Sequence, residues 1–271
     1  MRVGDGARLH FTEDQRLAFG RVAELYDRAR PSYPAAAIDA LLEYGGLGAG
    51  ASIVEVGAGT GKATELLARR GLRVVAVEPS AEMAELARVK LADWPGVTIV
   101  GSTFEAWEPP ERYAAVVSVQ AWHWVAGDVR YAKAHAALAP GGTLAAIWAF
   151  PDWERCPART SLSRAYRGAD VDLPADFPMH PDSEPTRLAG DWAAEIAASA
   201  GFRDDEVRSF PWPQSYTSAA YVALLQTHQD HILLADRDRA VLLDAIRRTI
   251  DAAGGTLELP LVTYVCLARR A

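Results

Sequence analysis

The chain has 271 residues, half of them hydrophobic, with a formal net charge of −7. That size and apolar content suit one α/β domain with insertions, or two small domains, and argue against disorder. The acidic balance argues against a nucleic-acid-binding face, which needs clustered Lys and Arg to displace counterions. Two widely separated cysteines, Cys156 and Cys266, give no disulfide framework and no metal spacing. No apolar run approaches membrane-spanning length, and Met1–Gly6 has no apolar signal core, so the expectation is a cytoplasmic protein without a membrane partner.

Residues 1–16 are polar and read as loose. Leu17, Val22, Leu25 and Tyr26 recur at helical spacing over 17–29, and Pro31 and Pro34 then stop one helix and start another that runs to about Tyr44. The glycine-rich stretch 45–50 reads as a flexible joint. Ile53–Val56 is a short buried strand running into Gly57-Ala58-Gly59-Thr60-Gly61, and Lys62–Arg70 continues with helical spacing. Leu72–Glu78 is a second buried strand ending on an acid, and Pro79-Ser80 opens a helix containing Met83, Leu86 and Leu91. Strands follow at 97–100, 113–119 and 143–148, with a helix near 129–138 and a turn at 139–142. This alternation, with strands apolar on both faces, predicts a doubly wound parallel sheet with its ligand at the strand carboxyl ends. Six prolines in 150–189 break the rhythm and predict a loop-rich insertion over the sheet edge. A helix near 190–200, a strand near 205–210, helices near 219–234 and 236–253, and a last strand from Leu261 to Ala268 complete the chain.

The chemistry starts at the glycine turn. Gly57, Gly59 and Gly61 remove the Cβ atoms that would hold a ligand off the backbone. The helix start behind them adds free N–H groups and partial positive charge. The spacing is G-x-G-x-G, whereas the dinucleotide fingerprint is G-x-G-x-x-G. Glu55 stands two residues before the first glycine, where a carboxylate repels pyrophosphate and suits a ligand with an ammonium group. His228 and His231, three apart on a predicted helix, lack a third ligand and make no metal site.

Four segments in order resemble the class I S-adenosylmethionine-dependent methyltransferases: Val54–Gly61, Val77-Glu78-Pro79, Leu138–Leu144, and Tyr26–Pro34 taken together with Trp122-His123-Trp124. The last is similar to a small-molecule subgroup that includes trans-aconitate-type methyltransferases. The chain departs from the family where an acid often stands two positions into the fourth strand; here the residues are Ala114 and Ala115. The resemblance implies a Rossmann-like sheet of seven strands, mostly parallel with an antiparallel last strand, under an N-terminal helical lid and a cap insertion. The expected divisions are 1–45 for the lid, 46–150 for the cofactor core, 151–189 for the cap insertion, and 190–271 for the rest of the sheet with further cap helices.

It also implies S-adenosylmethionine as cofactor and a small-molecule acceptor, aromatic or a carboxylic acid. The cofactor site is then expected at Tyr26, Arg30, Tyr33, Glu55, Gly57, Ala58, Gly59, Thr60, Gly61, Glu78, Pro79, Met83, Phe104, Glu105 and Gln120. Glu55 holds the ammonium end, Glu78 the ribose hydroxyls, and Phe104 with Glu105 the adenine. Tyr26, Trp122, His123, Trp148, Trp212 and Tyr216 are expected to meet the acceptor, with His123 as general base and Tyr26 as its alternative. Two rival readings stand beside this one: a nicotinamide-dependent oxidoreductase on the same fold, and a cofactor-binding protein without turnover. The oligomeric state is left open.

Overall fold

The computed structural model describes residues 20, 22–173, 175 and 177–271. The expected loose segment 1–16, and Leu17 of the first expected helix, lie outside the described residues. Helix α1 (Ala23–Ala29) ends before Arg30, whose backbone is extended (ψ 132°), and α2 (Ala35–Gly45) starts from Pro34 as its N-cap. Proline imposes this break because it has no N–H to continue α1 and pushes the preceding residue out of the helical region. Gly46, at φ +62°, terminates α2 in the left-handed conformation that glycine adopts without steric cost.

The sheet is built from β1 (Ser52–Val56), β2 (Arg73–Glu78), β3 (Val97–Gly101), β4 (Tyr113–Val119), β5 (Leu138–Pro151), β6 (Phe202–Trp212) and β9 (Leu261–Arg270), in the order β3-β2-β1-β4-β5-β9-β6. β1 to β5 pair in parallel, and β9 runs antiparallel to both β5 and β6. The crossovers use α3 (Lys62–Ala68), α4 (Ala81–Lys90), α5 (Arg130–Ala137) and α7 (Pro185–Ala198). The expected sheet of seven strands with an antiparallel last strand is therefore observed. β5 starts earlier than expected, because pairing already exists between Tyr113 and Leu138 before the register shift that precedes Ala115.

Alternate residues of the strands feed opposite layers. Val54, Val56, Val116, Ala146 and Trp148 pack towards Ala134, Ala137, Ala189 and Ile196 of α5 and α7. Ile53, Ala115, Val117, Ala145 and Ile147 pack towards Ile38 and Leu41 of α2 and Leu67 of α3. Which layer a residue of β5 joins decides which later residues can reach a ligand.

The proline-rich stretch is more ordered than a loop. It carries α6 (Arg159–Ala169), which packs on α10 (Asp236–Ala252), itself packed on α8 (Ser218–Leu225). Together with the short α9 (Gln229–Ile232) and the two-stranded β7 (Ser215–Thr217) and β8 (Thr256–Glu258), they form a cap with its own core of Trp153, Leu162, Tyr166, Met179, Tyr221, Leu242, Ile246 and Leu257. The cap draws on two separate excursions of the chain, one after β5 and one between β6 and β9. Among the described residues, no helix is long and apolar enough to cross a membrane.

Candidate functional site

Gly57, Gly59 and Gly61 follow β1 with φ of +71°, +58° and +80°. Two of them are required by packing. A Cβ on Gly57 would stand 2.4 Å from Ala121 Cβ, and one on Gly61 would stand 2.7 Å from Leu91 Cδ1. Gly59 is different: among the described residues a Cβ there would meet only Met83 Sδ, at 3.8 Å. The described residues leave room on that face of the turn, as a ligand laid against the backbone needs.

Two buried carboxylates flank the turn. Glu55 is 1% exposed; its Oε2 accepts a 2.6 Å hydrogen bond from Thr64 Oγ1, and no cation among the described residues pairs with it. Burial, with the nearby Glu78 carboxylate, pushes its carboxyl pKa up to about 8 against the Thr64 hydrogen bond. Glu78 closes β2. Its Oε2 accepts from Gly59 N–H at 2.8 Å and its Oε1 from Ser80 N–H at 2.9 Å. Burial raises its pKa despite these two bonds. Ser80 then caps α4, its Oγ accepting from Met83 N–H at 3.3 Å. Met83 lies buried above the turn, and Pro79 is half-buried beside Glu78.

α1 lies across the other side. Thr60 Oγ1, inside the turn, donates to Asp27 Oδ1 at 2.7 Å, and Lys90 Nζ reaches the same oxygen at 2.5 Å. Arg30, just past α1, donates from Nε to Thr227 Oγ1 and from Nη2 to Thr227 O, both at 2.8 Å, and its guanidinium stacks 4.9 Å from the Tyr26 ring centre. A narrow cavity opens between α1, the ends of β4 and β5, and the cap. Tyr26, Arg30, Tyr33, Gln120, Tyr216 and His228 give it its polar lining. Gln120 holds φ +61°, an uncommon conformation for a residue with a side chain, and is kept there by Gln120 N–H to Ile147 O at 2.8 Å and Nε2 to Ala149 O at 2.9 Å. The Tyr216 hydroxyl is buried with no hydrogen-bond partner among the described residues, and burial pushes its pKa up to about 12, so it remains a phenol.

The aromatic motif after β4 behaves differently from the sequence expectation. Trp122 is fully buried against Phe104 and Tyr131 and belongs to the core beneath α5, not to the cavity. Phe104 is also a core side chain, stacked on Trp107, and the Glu105 carboxylate accepts from Ala126 N–H at 2.9 Å. Trp148 alternates with Ala149 and Pro151, which line the cavity, and so points to the opposite face, where it stacks on Trp192 with ring centres 5.3 Å apart. Trp212 donates to Thr263 Oγ1 at 3.0 Å and packs against the cap core.

His123 follows Trp148. Its Nδ1 accepts from Trp148 Nε1–H at 3.3 Å, and its ring neighbours Trp124 and Trp192. An indole N–H can only donate, so the proton of the neutral imidazole is on Nε2. Burial, and then the Arg130 charge, lower its pKa to about 4. A neutral ring in this tautomer has no lone pair left for proton abstraction. In this arrangement His123 presents an N–H donor at the edge of the sheet.

Sequence reasoning missed Asp27, Thr227 and His228 as site residues. Asp27 stood in a recognised motif, but its partners Thr60 and Lys90 are 33 and 63 positions away. Thr227 carried no local signal and His228 only its spacing to His231, since the cap fold is what brings them to Arg30. Among the described residues no group of His, Cys, Asp and Glu could hold a metal ion.

A family model described as a methyltransferase domain matches residues 53–142, from β1 through the start of β5. The chain is 34% identical over 171 residues to an uncharacterized methyltransferase of Geobacillus kaustophilus, covering 59% of this chain and 79% of that one. It is 37% identical over 127 residues to a trans-aconitate 2-methyltransferase of Paracidovorax citrulli, covering 44% of each. The chain spans about half the length of several curated relatives it matches, 53% in the case of an uncharacterized methyltransferase of Mycobacterium tuberculosis. A putative type II methyltransferase from Anaeromyxobacter dehalogenans shares the fold, with a TM-score of 0.62 at 22% identity over 89% of this chain and 97% of that one. Sheet order, glycine turn, strand-end carboxylate and a relative matched over most of its length agree, and the chain belongs to the class I S-adenosylmethionine-dependent methyltransferases.

Proposed function

We propose that this protein transfers a methyl group from S-adenosylmethionine to a small-molecule acceptor held between α1 and the cap. The observation that carries this reading is the pair of carboxylates at the glycine turn. Glu55 is a buried carboxylate with no cation partner among the described residues, suited to an ammonium group. Glu78 uses two of its roughly four lone-pair sites on Gly59 and Ser80, and two remain for a pair of ribose hydroxyls. The face of the turn at Gly59 takes the part of the cofactor that runs between them, and Met83 packs above it. When bound, the cofactor supplies a methyl on a sulfonium, which the acceptor atom displaces in line while the carbon–sulfur electron pair returns to sulfur.

The protein's own residues then position and exclude water. Tyr26 and Arg30 cover the site from α1, and Gln120 fixes the end of β4. Arg30 is the cation of the cavity, and none of the described residues lining it is a carboxylate. That supports an acceptor carrying a carboxylate, the group named in the substrate of the Paracidovorax relative. A carboxylate nucleophile has no proton to lose, in keeping with a His123 that serves as donor and not as base. A second acceptor class, a flat aromatic, is supported by the rings of Tyr26, Tyr33 and Tyr216 on the same cavity. Glu55 counts against the nicotinamide reading, because it would face a pyrophosphate across a short distance.

Calorimetry with S-adenosylhomocysteine and with NAD tests the cofactor. Binding of the first and not the second is expected, and the reverse overturns the reading. Transfer of labelled methyl to panels of small carboxylic acids and phenols then separates the acceptor classes. No turnover with any acceptor, despite cofactor binding, returns the chain to the reading of a cofactor-binding protein without turnover.

A further inference from the structure

We propose that Asp27 is a positioning residue that latches α1 onto the glycine turn and so governs how long the cofactor stays bound. The proposal rests on the turn being the cofactor site. Asp27 gathers three partners from three places: Thr60 Oγ1 of the turn at 2.7 Å, Lys90 Nζ at the end of α4 at 2.5 Å, and Lys62 Nζ at the start of α3 at 3.8 Å. Burial alone would raise the Asp27 pKa, but the hydrogen bonds from Lys90 and Thr60 together with the Lys90 and Lys62 charges leave it lowered. The carboxylate therefore stays charged and charge-assisted across neutral pH, where such bonds are at their strongest.

Thr60 makes the latch more than a surface ion pair. It is 1% exposed and lies next to Gly59, whose N–H is held by Glu78. A displacement of α1 therefore reaches the carboxylate proposed to hold the ribose through a single residue. Three positions along the chain from Asp27, Arg30 is tied to Thr227 of the cap. One turn of backbone thus joins the cofactor turn to the acceptor cavity. That cavity has a volume of only about 50 Å³, too small for an organic acceptor, so its walls must part to admit one. Ligand exchange requires α1 to lift, and lifting it breaks the Asp27 bonds.

The test is the dissociation rate of S-adenosylhomocysteine from the full chain, followed by stopped-flow tryptophan fluorescence. Asp27→Asn is expected to raise the rate about 10- to 100-fold, the scale of a lost charge-assisted hydrogen bond. Thr60→Val removes only the turn's hydroxyl and is expected to raise it at least severalfold with Tm close to native. In a Lys90→Met background, Asp27→Asn is expected to act more weakly than in the native chain, because the two groups are coupled. A purely structural role predicts a lowered Tm with an unchanged dissociation rate. That result in Asp27→Asn and Thr60→Val overturns the latch. Should Asp27→Asn not fold, Thr60→Val decides alone. A native chain that does not bind S-adenosylhomocysteine overturns the methyltransferase reading first, and a native chain that binds it with a rate unaffected by either variant overturns the latch alone.

Discussion

Cofactor binding should depend on pH through Glu55. Its carboxyl pKa is pushed up to about 8, because it is buried beside Glu78 with, among the described residues, only the Thr64 hydroxyl in support. An ammonium placed against it favours the charged form, so binding requires the proton to leave. At pH 6 about 1% of the free protein has Glu55 ionised, and at pH 8 about half does. The affinity for S-adenosylhomocysteine should therefore rise about 50-fold between pH 6 and pH 8, while nearly one proton is released per ligand bound at the lower pH. Isothermal calorimetry in buffers of different ionisation heat measures both quantities. Glu55→Gln should bind more weakly at pH 8 and show neither the pH slope nor the proton release. A native affinity that is flat over this range, with no proton released, would refute the assignment of Glu55 to the ammonium group.

The same group should shape stability. Because its folded pKa lies above the ordinary value of 4.5, the folded state holds a proton that the unfolded chain has already lost between about pH 4.5 and pH 8. Its contribution to stability therefore falls as pH rises through that window, by about 1.4 kcal/mol per unit, and thermal melts of Glu55→Gln should lose this slope. Glu78→Ala should weaken S-adenosylhomocysteine binding by about 2–4 kcal/mol, measured by calorimetry, and an unchanged dissociation constant would remove the ribose role. Gly57→Ala should lower Tm because its Cβ meets Ala121, whereas Gly59→Ala, with only Met83 near, should lose more affinity than stability; circular dichroism melts beside binding curves separate the two. His123→Ala should lower single-turnover methyl transfer by less than the roughly 100-fold expected of a lost general base, and the pH–rate profile should be unchanged in shape.

The parts of this protein legible in the sequence are those whose meaning is local. A strand, a glycine turn and a helix start are neighbours in the chain, so Glu55, Gly57, Gly59 and Gly61 declare themselves through spacing alone. Glu78 does so by ending an apolar run, and the alternation of strands with helices fixes a parallel sheet because parallel neighbours need crossovers. Only the tertiary structure decided which side of the sheet each aromatic faces. Residue type says that a tryptophan near a strand end is large and apolar, but the phase of β5 sends Trp148 to one layer and Ala149 to the other. His123 meets Trp148 on the face opposite Ala149. Nor could the sequence show the latch or the cap's share of the site. Arg30 and Thr227 are 197 residues apart, Asp27 and Lys90 are 63 apart, and each pair meets only because a different part of the chain, the cap in one case and α4 in the other, packs against α1. Local patterns fix elements and their order, while contacts of long sequence separation are fixed by how those elements pack.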